Sequence, residues 1–395
     1  MMRLGVAAAL LCLPAGCGTA DPSASEGTTD SAITDDPADD TADDTADATL
    51  DDTALDDTAL DDSAAASAAL FEAIGPDGPG CSAAVNVDGE IAWSAAYGLA
   101  SIDRGEPLTT GTIVDIGSAS KQFTATAIGL LIADGALAWD DPVGNHLDDL
   151  PGWSARVTVD DLVHHTSGIP DYIDLLDGLG VDLLEPSTQE DAIESLDGTD
   201  LEFEPGSRFE YSNSNYLLMA EVVRAVSGDD LATHLATHVF APLGLDAEMA
   251  PGASSTDESA SEGRAHSYED EGGDWVRADS PWTQVGDGAV QTTPEQLARW
   301  GTRYWDSELP DGLDELLMDR SVDMGDDGRY GLGIMEYAAP SGDGTVLTHS
   351  GGWSGFDTGF VLDPARRTAV AVTCNTPDGP VTGEVADDLL LIWAP

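Results

Sequence analysis

The segment from Gly18 to Ala66 limits what this chain can fold into, because it cannot supply a core. It runs as a loose Asp-Asp-Thr-Ala repeat, as in TADDTADATLDDTALDDTALDD, with no aromatic residue and almost no large apolar one. Such a stretch buries too little surface to offset the entropy of ordering, and its like charges keep it extended. We therefore expect an acidic disordered tether over residues 18–66 and a folded domain over residues 67–395. Paired aspartates invite Ca²⁺, but the repeat lacks the glycine turn and terminal bidentate glutamate of a calcium loop. It reads as a solvated spacer.

The acidity is not confined to the tether. The 395 residues carry 75 acidic and 14 basic side chains, a formal net charge of -61. Sixteen of the acids lie between Asp21 and Asp62, and Arg3 is the one basic residue before residue 67. That leaves 59 acidic and 13 basic groups for the domain, a net charge near -46. A surface of this sign repels nucleic acid and anionic headgroups, and no basic patch offsets it. It points to a saline habitat, where salt screens the repulsion.

Ahead of the tether, MMRLGVAAALLCLPAGC reads as an export signal spanning residues 1–17. One positive charge at Arg3 precedes an apolar run from Leu4 to Leu13, too short for a permanent bilayer span. Ala15-Gly16-Cys17 resembles a bacterial lipoprotein cleavage site with Cys17 as the lipidated residue, which would tether the chain to a cell envelope membrane it does not cross. Ordinary secretion is the alternative. Cys12 leaves with the signal, so Cys81 and Cys374 are the cysteines of the domain. Both sit in strand-like segments, and they form either a disulfide or two separate buried thiols.

Within the domain, SAAVNVDGEIAWSAAYG is a hairpin with Asp88-Gly89 as its turn. An apolar helix opens at Gly117 and Ser118 and stops at Gly135. Residues 156–243 are mostly helical, including a block that ends at Gly228. TTPEQLARW starts another helix, with Thr293 as cap, Pro294 at the first position and Gln296 closing a capping box. Late strands follow in YGLGIMEYA, TVLTHSG, GFVLDP and RTAVAVTCN. Early strands meeting late ones, with helices between, give an α/β fold with a helical insertion.

Lys121, in GSASKQF, is the only lysine of the chain. Ser118 lies three residues before it, so the two side chains share a helix face. Backbone N–H groups at a helix start suit an oxyanion. A buried ammonium can lose its proton and serve as a base, whereas guanidinium stays charged. The pairing alone arises easily by chance. Two further segments raise it: Tyr211-Ser212-Asn213 ahead of a helix, and His349-Ser350-Gly351 at the end of a late strand.

Ser-x-x-Lys, Tyr-x-Asn and His-x-Gly together resemble the motifs of the serine β-lactamase and penicillin-binding protein family, in its class C-like branch. LDDLPGWSARVTVDDLVHHTSGIPDY, FAPLGL, GDGAVQTTPEQLARW, YGLGI and GFDTGFVLDP resemble that family in the same order. The resemblance covers about residues 69–395. It implies a β-lactamase/transpeptidase-like fold, an antiparallel sheet flanked by helices plus an all-helical subdomain. By the same resemblance Ser118 is the acylated nucleophile, Lys121 helps deprotonate it, and Tyr211 is the acid/base partner with its phenol pKa lowered by nearby positive charge. Asn213, His349, Gly351 and Gly352 line the substrate site, with backbone N–H groups of Ser118 and Gly352 as the oxyanion hole. Where many relatives carry Lys, His349 is expected to make the charge of the site depend on pH near neutrality.

Other candidates read more plainly. His234 and His238 have metal-ligand spacing but no H-E-x-x-H pattern, so they read as surface histidines. His164 and His165 read as structural. Gly351-Gly352 lacks the surroundings of a phosphate loop. Trp353 and Tyr172 either wall the cleft or pack. No metal or cofactor is implied. The expected protein is a monomeric, exported serine hydrolase acting on a small-molecule or peptidoglycan-type amide or ester. D-Alanyl-D-alanine carboxypeptidase/esterase-like activity is preferred, with a class C-type β-lactamase and a non-catalytic peptidoglycan- or β-lactam-binding sensor as alternatives.

Overall fold

Asp88 and Gly89, with φ of 55° and 91°, close the turn expected of that pair. They join β1 (Cys81–Val87) to β2 (Glu90–Tyr97), and a two-residue hairpin of this kind needs positive φ at both positions. The computed structural model describes residues 57–253, 263–306, 309–310, 312–313, 318–325, 328–339 and 344–394. The export signal, Cys17 and the tether up to residue 56 lie outside the described residues.

Six more strands complete the sheet from the other end of the chain: β3 (Val322–Gly325), β4 (Gly328–Gly331), β5 (Ile334–Ala338), β6 (Thr345–Trp353), β7 (Phe356–Asp363) and β8 (Thr368–Cys374). The order is β3-β4-β5-β6-β7-β8-β1-β2, antiparallel throughout. The first strand thus pairs with the last. Cys81 lies opposite Cys374, and their sulfurs are bonded at 2.00 Å. Of the two open readings, the disulfide is the one observed.

β8 explains why TAVAVTC lacks a polar alternation. Ala369 and Ala371 belong to the core cluster shared with the helical part, while Val370, Val372 and Cys374 belong to the cluster on the other face. A strand covered on both sides reads as a continuous apolar run. Burying each of its valines contributes about 1.5–3 kcal/mol.

Five helices matter below: α1 (Asp57–Ala69), α2 (Lys121–Ala133), α3 (Asn213–Ser227), α4 (Pro294–Trp300) and α5 (Thr382–Trp393). α1 begins inside the segment expected to be tether, so that boundary is corrected: residues 57–66 are helical. Alanine favours the helix, and apolar anchors dock it. Leu60 packs with the second core cluster, and Ser67 Oγ accepts a 2.9 Å hydrogen bond from Trp393 Nε1 of α5.

The helical part holds short helices at Val159–Val163, Tyr172–Leu179, Gln189–Glu194 and Leu231–Leu235 around the longer α3. α3 stops at Gly228, where φ is 84°, as expected. Thr293 caps α4 by accepting from Gln296 N–H. The Gln296 side chain does not close the box; it accepts from Asp246 N–H at 3.1 Å. Among the described residues no helix is long and apolar enough to cross a membrane.

Candidate active site

A 3₁₀ turn, Gly117–Ser120, leads into α2. It places half-buried Ser118 beneath β6 and sends Lys121 into the interior, where it is 0% exposed. Lys121 Nζ lies 3.1 Å from Ser118 Oγ, 2.8 Å from Asn213 Oδ1 and 2.7 Å from the Asp287 carbonyl oxygen. Burial lowers its pKa to about 8, against the upward pull of Asp287 and Asp171.

Those three neighbours fix what a neutral lysine does here. Asn213 Nδ2 donates to Asp171 Oδ2 at 2.9 Å, which turns Oδ1 toward Lys121. A carbonyl oxygen can only accept, so Asn213 Oδ1 and the Asp287 carbonyl take both amine protons. The remaining lone pair then faces the one neighbour with a proton to give, the Ser118 hydroxyl.

The Ser118 side chain pulls the Tyr211 pKa down, yet it stands well above the usual phenol value because burial outweighs that influence. Lys121 Nζ sits 4.9 Å from the ring centroid, but its charge does not reverse the shift. The expectation of a lowered phenol pKa is corrected. Tyr211 stays protonated and is a proton donor at neutral pH.

His349 is corrected as well. It is 2% exposed, and burial together with the charge of Lys121 pushes its pKa down to about 4. It is therefore neutral near pH 7. Nδ1 lies 2.6 Å from the Ser350 carbonyl, so Nδ1 carries the proton and Nε2 accepts from the Tyr330 hydroxyl at 3.4 Å.

His165, read as structural, holds Tyr211 in place by stacking at 4.3 Å between centroids. Its Nδ1 accepts from Ser212 N–H at 3.2 Å and Asn215 Nδ2 at 3.1 Å, so Nε2–H is left to donate to Tyr330 at 3.2 Å. His164 contacts the Asp160 carbonyl instead.

The glycines of the third motif have different jobs. A Cβ on Gly351 would stand 1.9 Å from Ile116 O, so only glycine lets β6 pass over the turn that carries Ser118. Gly117, at φ 52°, meets β6 from the other side, and its own Cβ would lie 2.8 Å from Gly352 N. Gly352 is exposed and has open space at its Cβ position. Gly351 is thus assigned to packing and Gly352 to the cleft.

Tyr172 is 1% exposed and donates to Asp287 Oδ2 at 2.9 Å, whereas Trp353 is half-buried at the cleft and sits 5.6 Å from Trp282. Asp115 accepts from Gly117 N–H at 2.8 Å, and burial, helped by Asp287, raises its pKa to about 7. Asp115, Asp171 and Asp287 were not singled out in the sequence. The last two lie in HHTSGIPDY and GDGAVQ, segments already matched to the family, which was the available signal.

The histidine pair differs from expectation too. His238 is exposed, but His234 is 4% exposed, with neither ring nitrogen partnered among the described residues. Among the described residues no cluster of three or more potential metal ligands exists.

The Beta-lactamase family model matches residues 29–392. The chain belongs to the β-lactamase family. It is 28% identical over 284 residues to penicillin-binding protein 4* of Bacillus subtilis, covering 68% of this chain and 62% of that one. It is 31% identical over 231 residues to a D-aminopeptidase of Brucella anthropi, covering 56% and 42%. The chain therefore spans less than two thirds of these curated relatives. Among solved structures, the octameric penicillin-binding protein homologue of Pyrococcus abyssi superposes with a TM-score of 0.71 at 26% identity, over 86% of this chain and 78% of that one. The family relationship and the β-lactamase/transpeptidase-like fold agree with the resemblance read from the three motifs.

Proposed function

We propose that this β-lactamase-family protein is a serine hydrolase that cleaves small amides or esters through an acyl-enzyme on Ser118. The observation that carries the reading is the buried Lys121, whose two carbonyl acceptors leave its lone pair for Ser118. Ser118 Oγ bonds to the substrate carbonyl carbon while its proton passes to Lys121 Nζ. Ser118 and Gly352 N–H groups stabilise the oxyanion. Protonated Tyr211 then gives its proton to the leaving nitrogen or oxygen and recovers one from Lys121. Water hydrolyses the ester on Ser118, returning the serine and releasing the acid.

Within the family we place the protein with amidases and esterases rather than with carboxypeptidases or β-lactamases. Substrates of the latter two carry a free carboxylate. Here His349 is neutral above about pH 4, and the charged groups that act on Lys121 are the acids Asp287 and Asp171. A relative's name, D-aminopeptidase, favours the same side. Purified protein should hydrolyse an activated short-chain ester faster than a D-alanyl-D-alanine peptide or a chromogenic cephalosporin. Ser118→Ala should abolish all of it. No turnover of any substrate, with the variant indistinguishable from the parent, would sink the enzyme reading; a stable adduct without turnover would make it a sensor. We also propose a monomer anchored to the envelope through Cys17. Light scattering tests the first part, and shedding of Cys17→Ala protein into the medium tests the second.

A further inference from the structure

Beside the catalytic network lies a cavity of about 20 Å³ lined by Asp115, Asp287, Gln284, Trp282, Trp353 and Tyr172 among others. That is room for one water-sized group. Its polar lining is rich in acceptors. Asp115 and Asp287 are 5% and 7% exposed. Gln284, 5% exposed, donates through Nε2 to Ser187 Oγ and the Thr188 carbonyl, both at 2.9 Å. Its Oε1 is buried and accepts nothing among the described residues. A buried acceptor without a partner is costly and uncommon. Trp282 and Trp353 add π faces, which attract cations.

We propose that this cavity is the subsite for a primary ammonium group on the acyl half of the substrate. The inference rests on Ser118 being the acylated residue, because Asp115 caps the turn that carries it and the Asp287 carbonyl holds Lys121. Water would bring two donors and no charge. An ammonium brings three donors and one positive charge to face the two carboxyl groups. Burial raises both carboxyl pKa values, Asp115 to about 7, so a cation in the cavity would favour their ionised forms. The ammonium could be the α-amino group of an amino acid or the end of a basic side chain.

The test uses the full chain with Ser118→Ala, which cannot turn over. Calorimetry compares alanine amide, N-acetyllysine amide and neutral N-acetylalanine amide, each in both hands. At least one cationic amide should bind tenfold or more tightly than the neutral one. Preference for alanine amide identifies the α-ammonium, and preference for N-acetyllysine amide the side chain. Adding Asp115→Asn, which keeps an acceptor for Gly117 N–H, should cut the preference at least fivefold. Gln284→Met should do the same and carries the test if the first variant does not fold. Equal binding of cationic and neutral amides, binding of none, or a preference unmoved by both substitutions would overturn the proposal. Wild-type ester turnover with no cation preference would leave the hydrolase standing without this subsite. Cation preference without any turnover would do the reverse.

Discussion

Lys121 is held by groups that accept hydrogen bonds, and that decides what replacements can do. Lys121→Arg keeps the charge but cannot shed a proton, so its kcat/KM for an activated ester should fall at least about 10³-fold, nearly as far as in Lys121→Ala. Wild-type-like acylation by the arginine variant would show that charge alone suffices. The pH profile follows from the same burial. Lysine must lose its proton to act, so acylation should rise as pH climbs through about 8. His349, held at about 4, should leave no inflection near 6.5. Measuring kcat/KM from pH 5 to 10 separates the two; Asp115, raised to about 7, titrates inside that window, so the result that would contradict the buried neutral histidine is a step near 6.5 that His349→Gln removes. Ser118, Lys121, Tyr211, Asn213 and His349 were legible because fixed spacings mark them. Their protonation states were not, since those depend on burial that only the folded chain supplies. Asp171 and Asp287 lie in segments matched to the family, but among 75 acids no spacing rule marks them as the ones that end up beside an ammonium.

β6 and the turn before α2 approach so closely that two adjacent glycines respond in opposite ways. Gly351→Ala would drive its Cβ against the Ile116 carbonyl, where backbone meets backbone and neither yields. A stability loss of about 1–3 kcal/mol and a collapse of activity should follow. Gly352→Ala meets nothing within 4 Å, so its stability should stay within about 0.5 kcal/mol of wild type. Melting curves of the two variants check the contrast, and equal melting temperatures would argue against the tight crossing. The elements themselves were readable where turn chemistry or caps marked them, as at Asp88-Gly89, Gly228 and Thr293. α1 was misread because its helix begins within a repetitive acidic composition, and its docking partner Trp393 lies more than three hundred residues away.

At the scale of the molecule, charge acts on the whole fold at once. With a net charge near -46 over residues 67–395, self-repulsion opposes the compact state, and salt relieves it. The melting temperature should rise steadily between low and molar NaCl. A flat response would remove the saline interpretation. The general class was visible in the sequence because strands and helices alternate in order. The pairing of first strand with last was only suggested, since no local pattern specifies a partner so distant.

That pairing sets a constraint in time. β1 sits between β2 and β8, so its inner edge stays open until residues 368–374 have been made. Nearly the whole domain must be synthesised before its centre can close, and contacts of such long range form slowly. A nascent chain ending before Thr368 should remain protease-sensitive throughout, holding an unpaired apolar strand rather than a half-built domain.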